Sequence, residues 1–354
     1  MEIDRPSEPD GERHVSISLV MPNYNHSQYL HKSVGGMLAQ LLPADEIIII
    51  DDASTDDSLK ILEAFAGQHA TIKLIRRQTR LGAVANLNAG LVEAKGDLIA
   101  FPGADDCLFP AFLHDTAALM ARHPFAGFAS SSVEIRDEND KLTGARPILF
   151  PTTRAAFVSA DRFRDMLSGS DNHFLGAATL YRRDALLAVG GFDASLGPMC
   201  DGVSARRLAA RHGFCFTPGP LGMWRVHGKN YSLAMISAPE STAQITERLK
   251  SVIDAEPAGL FPRDYATLLV NRLRFGIGRI VANDISDTPQ ASLARIAELA
   301  GGRKLDHFAL KLIRRSGPAK RTVAKIWLTL RLRPFSLVRI FLEPMRRRIF
   351  VRHD

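Results

Sequence analysis

Ile47-Ile48-Ile49-Ile50-Asp51-Asp52-Ala53-Ser54-Thr55-Asp56-Asp57 decides how the rest of the 354-residue chain is read. Four consecutive β-branched residues leave no polar face, so the stretch predicts a strand buried on both sides, as in a parallel sheet. Two carboxylates then end it. Ligands of open α/β sheets are met beyond the carboxyl ends of the strands, which puts Asp51 and Asp52 where a ligand is bound. Ser54 or Thr55 is expected to cap the next helix. Asp56 and Asp57 suit its positive N-terminal end, and Leu59, Leu62 and Phe65 its core side.

Working outward, Val15 to Met21 reads as a strand stopped by Pro22, with the polar turn Asn23-Tyr24-Asn25 behind it. Leu30, Val34, Met37, Leu38 and Leu41 recur at helical spacing before Leu42-Pro43, so the segment is β-α-β with a right-handed parallel crossover. Downstream, Ile72 to Ile75 is a third strand, and Arg80 to Ala83 turns into a helix bearing Leu87 and Leu91 and ended by Gly96. Leu98 to Phe101 is a fourth strand, running into Pro102-Gly103-Ala104-Asp105-Asp106. A buried strand again ends in paired acids. Neither GxGxxG nor GxxxxGK[ST] stands at a strand-helix junction, so a phosphate-bearing ligand needs another counter-charge. Two readings are open for Asp105 and Asp106: they hold a hard divalent cation, Mg²⁺ or Mn²⁺, or they cap the helix that starts near Pro110.

Beyond that helix the pattern is mixed. Phe125 to Ile135 reads as extended, Asp137-Glu138-Asn139-Asp140 as a hairpin turn, and Asp161 to Leu167 as helical. Asp171 to Tyr181 is rich in small residues and lets a ligand approach the backbone. Cys200-Asp201 precedes a helix, Phe214-Cys215-Phe216 is a short strand, and Gly222 to Asn230 closes this part.

The formal net charge of +7 conceals a split, because Lys311 to Asp354 holds 13 Lys and Arg against Glu343 and Asp354. Cys107, Cys200 and Cys215 are an odd number without CxxC spacing, which argues against a disulfide framework and a structural zinc site and fits a reducing cytoplasm. Residues 1–13 are charged and read as a loose leader. No stretch approaches the roughly 18 uncharged apolar residues of a membrane span.

Taken together, five ordered features resemble the family 2 glycosyltransferases. They are Pro22-Asn23-Tyr24-Asn25, Asp51 to Asp56, Ala104-Asp105-Asp106, Cys200-Asp201 and Arg225-Val226-His227, and the resemblance covers roughly residues 15–232. It implies a GT-A fold, an α/β domain with a mostly parallel Rossmann-like sheet, over residues 14–236. It also implies a metal-dependent inverting transfer of a sugar from a nucleoside diphosphate, UDP foremost, to an acceptor hydroxyl of a glycan or a lipid-linked acceptor. Pro22, Tyr24 and Asp52 match the pocket for the base. Asp105 and Asp106 match the end of the DxD motif, whose first acid is here Gly103. Asp201 matches the catalytic base, with Cys200 where an acid usually precedes it. Arg225 and His227 match the late Arg-x-His, phosphate-binding and metal-binding respectively. Asp171, Asn172 and His173 fall where acceptor-facing residues lie. The rivals are a catalytically silent nucleotide-sugar-binding or membrane-scaffolding protein and a sugar nucleotidyltransferase, whose Gly-rich phosphate loop is missing.

Residues 237–354 read as helical, at Tyr265 to Ile280 and Leu293 to Leu299 and in a basic amphipathic tail from about 311. Val323, Ile326, Trp327 and Leu330, then Leu337, Ile340 and Phe341, alternate with Lys and Arg. Such a segment suits the anionic inner surface of a plasma membrane or packs on protein, and it lacks the stacking aromatic series of a nucleic-acid binder.

Overall fold

The computed structural model describes residues 14–332, apart from 148, 170–172, 175, 229, 231–238, 284, 286–288 and 303. The leader, Asp171, Asn172 and the tail beyond Leu332 therefore lie outside the described residues. A ten-stranded mixed sheet runs β3 (Ile72–Arg76), β2 (Glu46–Asp51), β1 (Ile17–Asn23), β4 (Leu98–Ala100), β9 (Thr179–Arg182), β6 (Phe128–Arg136), β10 (Phe214–Arg225), β5 (Cys107–Leu108). Two further strands join it: β7 (Leu142–Arg146) on β6 and β8 (Ala156–Val158) on β10. The first four strands are parallel, so their carboxyl ends share one edge.

The isoleucine run shows why. Ile47 and Ile49 point into one apolar layer and Ile48 and Ile50 into the other, and all four are 2% exposed or less. The first layer is closed by α1 (Ser27–Leu38), α2 (Ser58–Gln68) and α4 (Phe112–Arg122), through Leu30, Val34, Leu62 and Phe112. The second is closed by α3 (Ala83–Glu93), α5 (Ala160–Leu167), α6 (Arg183–Ala188) and α7 (Cys200–His212), through Leu91, Phe163, Leu186 and Leu208.

Several expected boundaries move. β1 does not stop at Pro22 but runs to Asn23, because β4 pairs only with Ile17 to Leu19 and the missing proline N–H lies past that ladder. Neither Ser54 nor Thr55 caps α2; the Asp56 carboxylate accepts the Ser58 N–H at 3.0 Å instead. α3 ends at Glu93 before Gly96, whose N–H donates to Ser18 Oγ, and a Cβ there would lie 2.6 Å from that strand's backbone. Phe214 to Phe216 is only the start of a strand of 12 residues, which absorbs Pro218 and Pro220 at two register shifts.

The C-terminal region is helical: α8 (Pro239–Asp254), α9 (Tyr265–Asn283), α10 (Pro289–Ala300), α11 (Lys304–Arg315) and α12 (Lys320–Leu332). Tyr265, Leu269 and Ile277 of α9 enter the same apolar layer as α7, while Phe275 and Ala282 enter a third cluster with Ile296, Ile313, Ala324 and Leu328. The apolar stripe expected on α12 is split by this packing. Val323 and Trp327 pack inward beside the buried Ala324, Leu328 and Leu332, whereas Ile326 and Leu330 point outward.

Candidate active site

Asn23 and Asp51 end β1 and β2 at the same level, and the loops that follow are sewn together. The buried Asp51 carboxylate accepts Asn23 Nδ2 (2.8 Å), Ser54 Oγ (2.6 Å) and Ser54 N–H (3.0 Å). Asn25 Oδ1 accepts the Thr55 N–H at 2.8 Å, and Asp56 accepts the Ser27 N–H at 3.0 Å. These bonds hold Asn25 and Ala53 at φ 57 and 60, a left-handed conformation that costs non-glycine residues energy. Asp52 turns the other way. Its two oxygens accept the Leu81 and Gly82 N–H groups at 2.8 Å each, fixing the loop between β3 and α3 where Gly82 has φ 91. Tyr24 is half-buried beside them, and the Arg80 guanidinium lies 3.8 Å over its ring.

The second acid pair divides its labour. Asp106 is buried, with Oδ1 accepting the Arg225 N–H at 2.9 Å; burial and the charge of Asp105 push its carboxyl well above the usual carboxylate range. Asp105 faces the other way. Its Oδ2 is 3.0 Å from His227 Nε2 and accepts Asn230 Nδ2 at 3.0 Å. Gly103 leaves room for this arrangement, since a Cβ there would lie 2.6 Å from Asp106 Oδ2 and 3.0 Å from Asp105 Oδ1 and the two carboxylates would have to shift. His26, just before α1, brings a third candidate donor: ligand atoms of His26, Asp105 and His227 all lie within 4.8 Å of one another. His26 Nδ1 is buried without a hydrogen-bond partner, and burial holds this imidazole in its neutral form by lowering its pKa. A divalent cation fits this donor set, with Asp105 supplying charge and the imidazoles supplying lone pairs.

Arg225 is 2% exposed. Its Nε donates to the Asp105 carbonyl at 3.0 Å, Nη1 pairs with Asp140 Oδ1 at 2.6 Å, and the guanidinium lies 4.7 Å over the Tyr29 ring. Asp140, in the expected hairpin turn between β6 and β7, also pairs with Lys32 at 2.9 Å. A polar cavity of about 470 Å³ opens between α1 and this turn, lined by Tyr29, Lys32, Asn139, Asp140 and Arg225 among others.

Asp201 stands in the first turn of α7, behind Cys200, rather than ahead of the helix. Its Oδ1 accepts the Gly202 N–H at 2.6 Å. Burial raises its carboxyl pKa, against that hydrogen bond and the nearby Arg206 charge. The small-residue stretch serves this carboxylate: a Cβ at Gly176 would fall 2.1 Å from Asp201 Oδ2. Arg206 donates from Nη1 to the Gly202 carbonyl at 2.7 Å and from Nε to the Tyr265 hydroxyl of α9 at 3.1 Å. His173 is buried, its Nδ1 3.3 Å from the Leu149 carbonyl.

The structure thus gathers Asp105, Asp106, Arg225 and His227 into one cluster and sets Pro22 and Tyr24 beside Asp52 at the neighbouring strand ends. Sequence reading missed His26, Tyr29, Arg80, Asp140, Gly176 and Asn230. His26 and Tyr29 had a signal, because they flank the first turn of the helix after Asn23-Tyr24-Asn25. Arg80 and Asn230 had none beyond lying in polar turns.

Residues 18–190 match the family model for Glycosyl transferase family 2. The chain is 34% identical over 123 residues to the putative glycosyltransferase EpsE of Bacillus subtilis, covering 34% of this chain and 44% of EpsE. Across the curated relatives that head the comparison, it spans between about a third and two thirds of their length. Among solved structures it is similar to Staphylococcus aureus TarS 1–349 in complex with UDP-GlcNAc, with a TM-score of 0.59 at 16% identity, covering 90% of this chain and 91% of that one. It is also similar to the mannosyltransferase PcManGT of Pyrobaculum calidifontis in complex with GDP-Man and Mn²⁺, with a TM-score of 0.57 at 18% identity, covering 96% and 88%. At these identities the likeness shows a shared GT-A fold.

Proposed function

We propose, from the premise that residues 18–190 belong to glycosyltransferase family 2, that the protein transfers a sugar from a nucleoside diphosphate to an acceptor hydroxyl with inversion. The observation that carries this reading is the Asp105 carboxylate turned toward His227 and His26 at the carboxyl edge of the parallel strands, the edge at which Asp52 anchors its loop. UDP is the expected donor nucleotide, supported by the UDP-GlcNAc complex of the TarS structure; the GDP-Man complex of PcManGT makes guanine the alternative to test. Pro22, Tyr24 and Asp52 would line the base. Asp105 and His227 would hold a divalent cation, Mn²⁺ or Mg²⁺, which when bound neutralises charge on the diphosphate.

The remaining chemistry falls to the chain's own residues. The acceptor oxygen forms a bond to the anomeric carbon while the bond from that carbon to the phosphate oxygen breaks. The hydroxyl proton passes to Asp201, and the nucleoside diphosphate departs. A base must be ionised to accept a proton and basic enough to keep it, and burial raises the basicity of Asp201. Arg225 suits the diphosphate by charge and fork geometry once it is released from Asp140. Asp171, Asn172 and His173 remain the residues proposed for the acceptor side, of which His173 would act from a buried position.

The setting we propose is cell-surface polysaccharide or glycolipid assembly at the inner face of a membrane. Among the described residues no helix is long and apolar enough to cross a bilayer. Phe308 and Leu312 of α11 and Ile326 and Leu330 of α12 are exposed, and from His307 to Leu342 there is no acidic residue among the Lys and Arg. Charge and apolar side chains of this kind favour an anionic lipid surface, each cation contributing about 1 kcal/mol near it.

Calorimetric titration of UDP, GDP and UDP-sugars with and without Mn²⁺ tests the reading. Metal-dependent nucleotide binding by the native chain, lost in Asp105→Ala, is expected. A folded protein that binds no nucleoside diphosphate would sink it and move weight to a silent scaffold.

A further inference from the structure

Resting on the reading that a cation and a diphosphate meet at Asp105, we propose that His26 is a third protein ligand of that cation. The site then offers two imidazoles and one carboxylate, and takes Mn²⁺, Co²⁺ or Zn²⁺ ahead of Mg²⁺.

The chain needs a donor from outside the acid motif. At position 103, where the resemblance leads one to expect an acid, stands Gly103, so the acid motif of this chain supplies no third carboxylate. Asp106 is turned away to the Arg225 amide. Asp105 alone is left, and two ring nitrogens converge on it: His227 Nε2 is 3.0 Å from Asp105 Oδ2, and His26 brings a ligand atom within 4.8 Å of both.

His26 is not a side chain satisfied by packing. Its Nδ1 is buried and makes no hydrogen bond, a rare condition for a polar atom removed from water and one that a metal ion would relieve. Both imidazoles are steered by one ring. Tyr29 stacks on His227 with centroids 5.3 Å apart and tilts against His26 at 6.2 Å. Asn230, donating to Asp105 Oδ2, holds the carboxylate between them. Imidazole nitrogen is a borderline ligand that favours later divalent metals, whereas Mg²⁺ prefers oxygen donors and surrenders water reluctantly. A pair of carboxylates would not discriminate in this way.

Mn²⁺ titration followed by electron paramagnetic resonance, with the full chain and no sugar present, tests the assignment without reference to turnover. The native protein is expected to bind Mn²⁺ at least tenfold more tightly than Mg²⁺ and to show ¹⁴N couplings from two imidazoles in the spin-echo modulation. His26→Ala is expected to lose one coupling and at least tenfold in Mn²⁺ affinity. A native spectrum with one imidazole or none would overturn the proposal even if the variant failed to fold, and so would unchanged affinity in a folded His26→Ala. Adding UDP or GDP separates the two readings. A bound-Mn²⁺ signal indifferent to either nucleotide counts against the donor assignment, while the nitrogen couplings decide the ligand.

Discussion

Two pairs of aspartates follow parallel strands of this sheet, Asp51-Asp52 at the end of β2 and Asp105-Asp106 in the loop between β4 and β5, and the pairs have been put to opposite uses. Asp51 and Asp52 spend every oxygen on neighbouring amides and hydroxyls within the protein, locking three loops to one another. Asp105 and Asp106 split the work: one is buried against a backbone amide, and the other turns to imidazoles. The same local pattern therefore gives a scaffold in one place and an open ligand in the other. What differs is the neighbourhood: only hydroxyl and amide donors surround the first pair, and ring nitrogens join the amides around the second.

The largest effect is expected outside both pairs. Asp201→Asn should lower turnover by about 10³-fold while leaving nucleotide affinity and melting temperature unchanged. The sign of the pH dependence follows from burial. In the proposed role Asp201 works ionised, and its pKa is raised, so activity should fall as pH drops through a midpoint above the ordinary range of about 3.9 for an exposed aspartate. An equal loss of nucleotide affinity would show Asp201 to be part of the donor site. Asp51→Ala should cost about 3 kcal/mol of stability by chemical denaturation, because three donors lose one buried acceptor. If stability held and only nucleotide binding fell, the first pair would be an open site like the second. Asp105→Asn reverses that pattern, with about 30- to 100-fold weaker metal-dependent UDP binding by calorimetry and an unshifted melting temperature. The smallest change is a gain. Asp140→Asn frees the buried Arg225 and the exposed Lys32 from a carboxylate that solvent partly screens, and should tighten nucleoside diphosphate binding by about two- to fivefold.

What could be read in the sequence follows the range of the forces involved. Four isoleucines bounded by acids need only their own side chains to declare a strand buried on both faces, and β2 is where they put it. Asp105, Arg225 and His227, which the structure brings together, stand in motifs that the sequence alone displays. His26 escaped, because nothing local says that a histidine after a turn will meet an aspartate 79 positions later. Two errors have one origin. Pro22 stays in its strand because β4 is short, and the apolar stripe on α12 is divided because α9 and α10 approach from another side. Each depends on a partner remote in sequence.

The hydrogen bond from Arg206 to Tyr265, and the entry of α9 into the apolar layer of α7, set a limit on modularity. A chain cut after α8 would strip Tyr265, Leu269 and Ile277 from the wall that supports α7. Chimeras that exchange acceptor preference among relatives should therefore carry α9 with the sheet and place their seam no earlier than α10.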